Sequence, residues 1–289
     1  MFNDASQFIQ GSSATVLSLG ATDEIDLTAT AMDFNGTVTI SGDTTLEDGA
    51  DLITASAGTD NVRIGSTAGD SITSGGNFNT LVGTNAGTAI TTGASNVAVG
   101  RNALDAEVAG SLSVAVGVGT LTAQTNSTAT DVYNTALGHA AGNAVTTGLR
   151  NSFVGGLAGD ATTDADDNVA MGYNALGANT VGSRSVSIGA GSLENQNPAT
   201  AANMYNVAVG YNSGNAVSTG IRNNFFGAES GEALTTGDDN IAIGYQTLTS
   251  ETAGNRSVAI GNNALDAQNS TTDTNMYNVG VGYAAGGAV

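Results

Sequence analysis

Residues 203–210 read NMYNVAVG, and residues 275–282 read NMYNVGVG. The two copies begin 72 residues apart. Between and before them a shorter five-letter word recurs: Asn or Ser, two residues, an apolar residue, Gly. It appears as NVRIG (61–65), NTLVG (79–83), NVAVG (96–100), SVAVG (113–117), NTALG (134–138) and NSFVG (151–155). It continues as NVAMG (168–172), SVSIG (185–189), NVAVG (206–210), NNFFG (223–227), NIAIG (240–244), SVAIG (257–261) and NVGVG (278–282). The final glycines are spaced 18, 17, 17 and 21, and then twice 17, 17, 17 and 21. Three turns of 17 and one of 21 make the 72-residue period, and NMYN marks the end of a long turn.

The super-repeat extends beyond spacing. Residues 134–205 laid on 206–277 agree at roughly half of their positions. Words that begin with Ser recur once per block, at Ser113, Ser185 and Ser257. The third letter is small in most words but large at Leu81, Phe153 and Phe225. Four residues after each word's Gly the chain alternates in pairs: Gly69 and Gly87, Leu104 and Leu121, Gly142 and Gly159, Leu176 and Leu193. Fixed periods of this size signal a stacked repeat architecture.

One word is a short strand. Its fourth letter is apolar in all thirteen copies, and its second is mostly Val, Ile or Thr. Side chains alternate across a strand, so these two letters share a face, which is expected to be the buried one. Each buried fourth-letter side chain would then contribute ~1.5–3 kcal/mol before entropy is subtracted. The Gly ends the strand, and the leading Asn is expected to stack on the Asn of the next turn as an amide ladder. The fold class is therefore all-β, a β-solenoid with turns of 17, 17, 17 and 21 residues. Thirteen rungs at ~4.8 Å give a rod of roughly 60 Å.

Composition bounds the function. The chain has 289 residues, 41 Gly, one Pro, no Cys and no Trp. Its six basic residues are all Arg, against 26 Asp and Glu, for a formal net charge of −20. That charge repels nucleic acid and anionic membranes. No disulfide framework is possible, and no apolar run reaches the length of a membrane span. Residues 1–20 are read as an attachment segment and 21–60, with Ile25, Leu27, Val38 and Ile40 alternating, as a β-rich neck. The solenoid occupies 61–289. YAAGGAV (283–289) matches YNSGNAV (211–217) and stops in mid-turn, so the repeat is expected to continue past residue 289.

No catalytic constellation stands out, and no catalytic, cofactor or metal residues are assigned. His139, the only His, is read as a surface residue rather than a general base. The acidic loop 159–168 carries Asp160, Asp164, Asp166 and Asp167; its equivalent carries Glu232, Asp238 and Asp239. The spacing fits no familiar calcium loop, so the reading is a solvated acidic edge. Arg150 and Arg222 precede Asn words, and Arg184 and Arg256 precede Ser words. They recur with the scaffold, which favours structural pairing over a sugar-cleaving groove. The long turns end at Tyr133, Tyr205 and Tyr277. Polar loops with a Tyr suit glycan contact, but near-identical copies favour packing of Val132, Met204, Met276 and the three Tyr at the loop base or at an interface between chains.

The words NVAVG and SVAIG, repeated over residues 61–289, resemble the head repeats of YadA-type trimeric autotransporter adhesins and the repeats of bacteriophage tail-fibre proteins. The YadA-type repeat is shorter and lacks the four-turn period. The stretch 21–46 resembles the shaft openings of phage fibres. The resemblance implies a homotrimer. It also implies a non-catalytic virion fibre, docked through its N-terminus on tail, baseplate or head and reaching a host glycan or receptor through a distal part. A surface adhesin on a bacterial cell is the alternative, and a polysaccharide-degrading tailspike is less favoured. No cofactor, nucleic-acid partner or membrane insertion is expected.

Overall fold

The computed structural model describes residues 57–287. The attachment segment at 1–20 and the neck up to residue 56 lie outside the described residues. Thirteen three-residue strands, from Val62–Ile64 to Val279–Val281, form one parallel sheet whose order is the order of the chain. The strands coincide with letters two to four of the thirteen words. Pairing is letter on letter: Val207 opposes Asn224, Ala208 opposes Phe225 and Val209 opposes Phe226. Three minor parallel pairs close the long turns: Gly110–Ser111 with Thr130–Asp131, Gly182–Ser183 with Ala202–Asn203, and Gly254–Asn255 with Thr274–Asn275. Among the described residues there is no helix, and the architecture is a parallel β-solenoid.

Between strands the backbone also bonds to the next turn, as in Gly100 N–H to Val82 O (2.7 Å) and Leu104 N–H to Thr120 O (3.0 Å). Many peptide groups in the stack thus bond to the adjacent turn, which satisfies donors that a single turn would leave unpaired. The fifth-letter Gly is required twice over. Its φ reaches +134° at Gly100, where a side chain is strained. A Cβ there would also sit 2.3 Å from the Gly117 carbonyl oxygen.

The strand faces run opposite to the expectation. The third letter points inward: Ala98, Ala115, Phe153, Ala208 and Phe225 are fully buried. The second and fourth letters point outward and are half-buried or exposed along the whole sheet. Adjacent residues make the point, since Phe225 is 0% exposed and Phe226 is 41% exposed. The physical reason is space. A 17-residue turn encloses a narrow interior that accepts Ala, Ser or Gly on most rungs. Valine and isoleucine in every rung would overfill it.

The interior is completed by the residues four and seven after each Gly. The first of these is always left-handed, whether Gly159 (φ +58°) or Leu176 (φ +57°). Glycine stands there where an aromatic ring needs the room: a Cβ on Gly142 or Gly159 would meet the Phe153 ring at 2.8 and 2.5 Å. Elsewhere Leu occupies the position, fully buried at Leu104, Leu121, Leu176, Leu193 and Leu248. Left-handed leucine costs ~1–2 kcal/mol. Burying the side chain returns ~1.5–3 kcal/mol, so the strained leucine is retained. The paired alternation in the sequence is thus volume compensation around Leu81, Phe153 and Phe225.

The Asn column forms a ladder, but a side chain-to-backbone one. Asn223 Oδ1 accepts the Asn240 N–H (3.0 Å), and Asn223 Nδ2 donates to Gly237 O (2.8 Å). An amide-to-amide contact of the expected kind occurs at Asn240 Nδ2 to Asn223 Oδ1 (3.1 Å). The shorter Ser of each fourth word cannot reach, and a buried Gln takes over. Gln268 Nε2 donates to Ser257 Oγ (2.9 Å) and Gln268 Oε1 accepts from Asn278 Nδ2 (2.7 Å). Gln124 joins Ser113 and Asn134 in the same way.

Candidate functional site

The outward letters assemble thirteen rungs into one apolar strip. Val97, Val99, Val114, Val116, Val207 and Val209 stand in it beside larger residues. Ile64 and Leu137 are each 48% exposed, and Met171, Phe226 and Ile243 each about 40%. A contiguous apolar surface on this scale marks an interaction site.

Two polar columns border the strip. On one side stands the residue that closes each turn, just before the word. From Tyr133 it reads Tyr133, Arg150, Asp167, Arg184, Tyr205, Arg222, Asp239, Arg256, Tyr277, every one at positive φ. The structure links these side chains along the rod. Arg150 Nε donates to Asp167 (2.6 Å), and Arg184 Nε approaches the other oxygen of Asp167 at 3.5 Å. Arg184 also donates to the Tyr205 hydroxyl (3.0 Å), with its guanidinium carbon 5.9 Å from the ring centre. One block later Arg222, Asp239, Arg256 and Tyr277 repeat this, with Arg256 to Tyr277 at 3.0 Å. Hydrogen bonding from Arg150 holds the Asp167 carboxyl below the usual carboxylate range, and Arg222 does the same for Asp239. The guanidiniums of Arg150 and Arg222 are correspondingly raised, by hydrogen bonding to those carboxylates.

On the other side stands the residue that follows each word's Gly. From Gly156 it reads Gly156, Tyr173, Ala190, Tyr211, Ala228, Tyr245, Asn262, Tyr283, so that rings alternate with smaller residues. The four Tyr side chains are between 46% and 83% exposed. Between Tyr173 and Tyr211 lies a cleft of about 330 Å³, floored by Ala190 and Gly191 and reached by Glu194. Glu194 is fixed by Asn174 Nδ2 (2.6 Å) and Asn215 Nδ2 (2.9 Å). His139 sits exposed in the same column.

The four carboxylates of the acidic loop do not converge. Asp166 accepts the Leu149 N–H (2.8 Å) and lies 3.5 Å from Arg150; Asp167 belongs to the closing column. Asp164 takes a bond from Thr163 (2.8 Å). Asp160 stands apart, half-buried, and burial pushes its carboxyl up. Among the described residues no group of three or more His, Cys, Asp or Glu is placed to hold a metal ion.

At the long turns, Val132 and Met204 are fully buried at the loop base, whereas Tyr133, Tyr205 and Tyr277 point outward, 53%, 48% and 65% exposed. Glu107 and Glu251, which the sequence reading passed over, lie fully buried beneath two of these turns. Glu251 Oε1 accepts backbone N–H groups of Thr252, Ala253, Gly254 and Ser270 (2.7–3.2 Å), and Oε2 accepts Gln268 Nε2 (2.7 Å). Five donors converge on the carboxylate, so both oxygens are occupied by the scaffold. The signal for them was a charged residue recurring where other turns have Ile, Val or Leu, as at Ile90, Val145 and Leu234.

No family model, curated protein or solved structure matches the chain.

Proposed function

We propose that this chain is a non-catalytic structural rod, one of three identical chains of a fibre that carries an attachment appendage on a virion. The observation that carries this reading is the outward apolar strip. A β-solenoid of net charge −20 has no reason to expose Val, Ile, Leu, Met and Phe along one whole face unless another surface covers it. The strip recurs on every rung, so its partner must be a rod of the same pitch, and a further copy of the chain meets that condition. Three copies packed with their strips toward a common axis bury all three faces and leave no open one. The virion assignment follows from the resemblance of the repeated words to phage fibre repeats. A non-catalytic role is favoured because the charged groups repeat with the scaffold, and the buried Glu107 and Glu251 are consumed by it.

Sedimentation equilibrium with electron microscopy of the purified chain tests the reading. A mass three times the 28.3 kDa of one chain, with thin rods showing three-fold end views, is expected. A monomer at micromolar concentration would overturn it and return attention to a single-chain groove.

A further inference from the structure

The two columns that border the apolar strip are not independent. A closing residue and the post-glycine residue six places later flank the same rung, on opposite edges of the sheet. Wherever the closing residue is Arg, the post-glycine residue is small or short: Arg150 with Gly156, Arg184 with Ala190, Arg222 with Ala228, Arg256 with Asn262. On the rungs between, Asp167 faces away from Tyr173, Asp239 from Tyr245 and Tyr205 from Tyr211. An earlier rung pairs the exposed Leu112 with the exposed Val118. Within one chain these partners stand on opposite edges of the rung, and the bonds that the structure gives Arg150 and Arg184 run along their own edge, to Asp167 and Tyr205. The matching is therefore without use to a single chain.

A cyclic assembly gives it one. When three strips face a common axis, the closing edge of each sheet abuts the post-glycine edge of its neighbour, because the contact is head to tail around the ring. We infer that these edges form a register lock between chains, in which Arg184 exchanges its exposed bond to the Tyr205 hydroxyl of its own chain for its neighbour's cleft between Tyr173 and Tyr211 and lies over Ala190 beside Glu194. The cleft suits a guanidinium: Tyr173 and Tyr211 line it, and a carboxylate already oriented by Asn174 and Asn215 supplies the opposite charge. Asp167 and Asp239 likewise become acceptors for a neighbour's Tyr173 and Tyr245 hydroxyls, and Leu112 meets Val118. The apolar strip cannot fix this alignment itself, since it looks nearly the same after any shift of one ~4.8 Å rung. A one-rung slip would drive each Arg onto a Tyr side chain and leave the clefts empty, so the alternation excludes slips by an odd number of rungs, and closure of the ring removes the even ones.

The inference rests on the three-chain reading, and the chain's lack of cysteine permits a clean test of each separately. Arg184→Cys with Ala190→Cys in one chain is treated with a short bis-maleimide. Arg222→Cys with Ala228→Cys serves as an independent same-rung pair. Arg184→Cys with Asn262→Cys is the off-register control, four rungs or ~19 Å apart. Native mass is measured on every variant beforehand. The expected result is a shift of the denatured band from 28.3 kDa to three times that size for both same-rung pairs and not for the control. Trimeric native mass with no same-rung bridging, or with equal bridging in the control, would overturn the register lock while leaving the apolar interface standing. Monomeric native mass would overturn both.

Discussion

Glu251 has more donors around it than any neutral side chain could satisfy. Four backbone N–H groups and the Gln268 amide aim at its two oxygens, and water is excluded. These five bonds replace the ones that burial takes from water, so the desolvation of this side chain is compensated locally. Glu251→Gln keeps the shape but replaces one acceptor oxygen by an NH₂ group. Whichever way the amide turns, a donor then faces a donor. The expected cost is ~1–3 kcal/mol, the penalty for leaving buried donors unmet. A denaturant midpoint that drops accordingly would support this, and an unchanged midpoint would show that the long turn does not depend on the charge. The corresponding turn of the preceding block uses Asn179, whose Oδ1 meets only the Gly182 N–H and Gln196. Two acceptor oxygens therefore serve where the donor count is high.

A single turn is limited by its interior volume, and this decides which elements were readable from sequence. The strands were legible because a stacked solenoid repeats its backbone letter for letter, and the Asn, apolar and Gly positions record that directly. The orientation of the strands was not. Apolar letters two and four looked like core, and the small third letter looked like filler. The rule that apolar residues lie inside fails here because the narrow interior of a turn takes the small third letter and leaves Val and Ile outside. The Gly and Leu alternation was visible as a pattern, but its cause needed the ring of Phe153 between Gly142 and Gly159. The closing and post-glycine columns were likewise present as scattered Arg and Tyr, and only a common sheet face gives them a joint meaning. The volume argument is testable at one residue. Gly159→Ala places a Cβ 2.5 Å from the Phe153 ring at a φ of +58°. Left-handed alanine and overpacking together should cost ~2–4 kcal/mol. Adding Phe153→Ala removes the clash, so the double variant should lose less than the two single losses combined. Strict additivity would mean that ring and glycine do not compete for the same space.

For the molecule as a whole, inward and outward letters should fail in different ways when the same charge is introduced. Ala208 is fully buried, and Ile188, on the preceding rung, points out from the sheet. Lysine at residue 208 has no room and no partner, so Ala208→Lys should abolish cooperative folding altogether. Lysine at residue 188 has free solvent in the single chain, and Ile188→Lys should leave the fold and its β-sheet circular dichroism intact. In the proposed three-chain assembly, however, three copies of that lysine would converge on one axis in an apolar setting, where a charge without a counter-ion is costly. Combining Ile188→Lys with Ile243→Lys should weaken association by roughly 3 kcal/mol or more, about a hundredfold in the dissociation constant. Sedimentation across a concentration series reads that shift directly, and circular dichroism on the same samples reports whether each chain is still folded. A folded variant that dissociates would place the proposed interface between chains on the valine and isoleucine strip. A folded variant that stays trimeric moves the interface elsewhere and leaves the strip to a different partner. The two lysines would thus separate the stability of one solenoid, set by letters one, three and the left-handed turns, from that of the proposed three-chain assembly, which letters two and four would set.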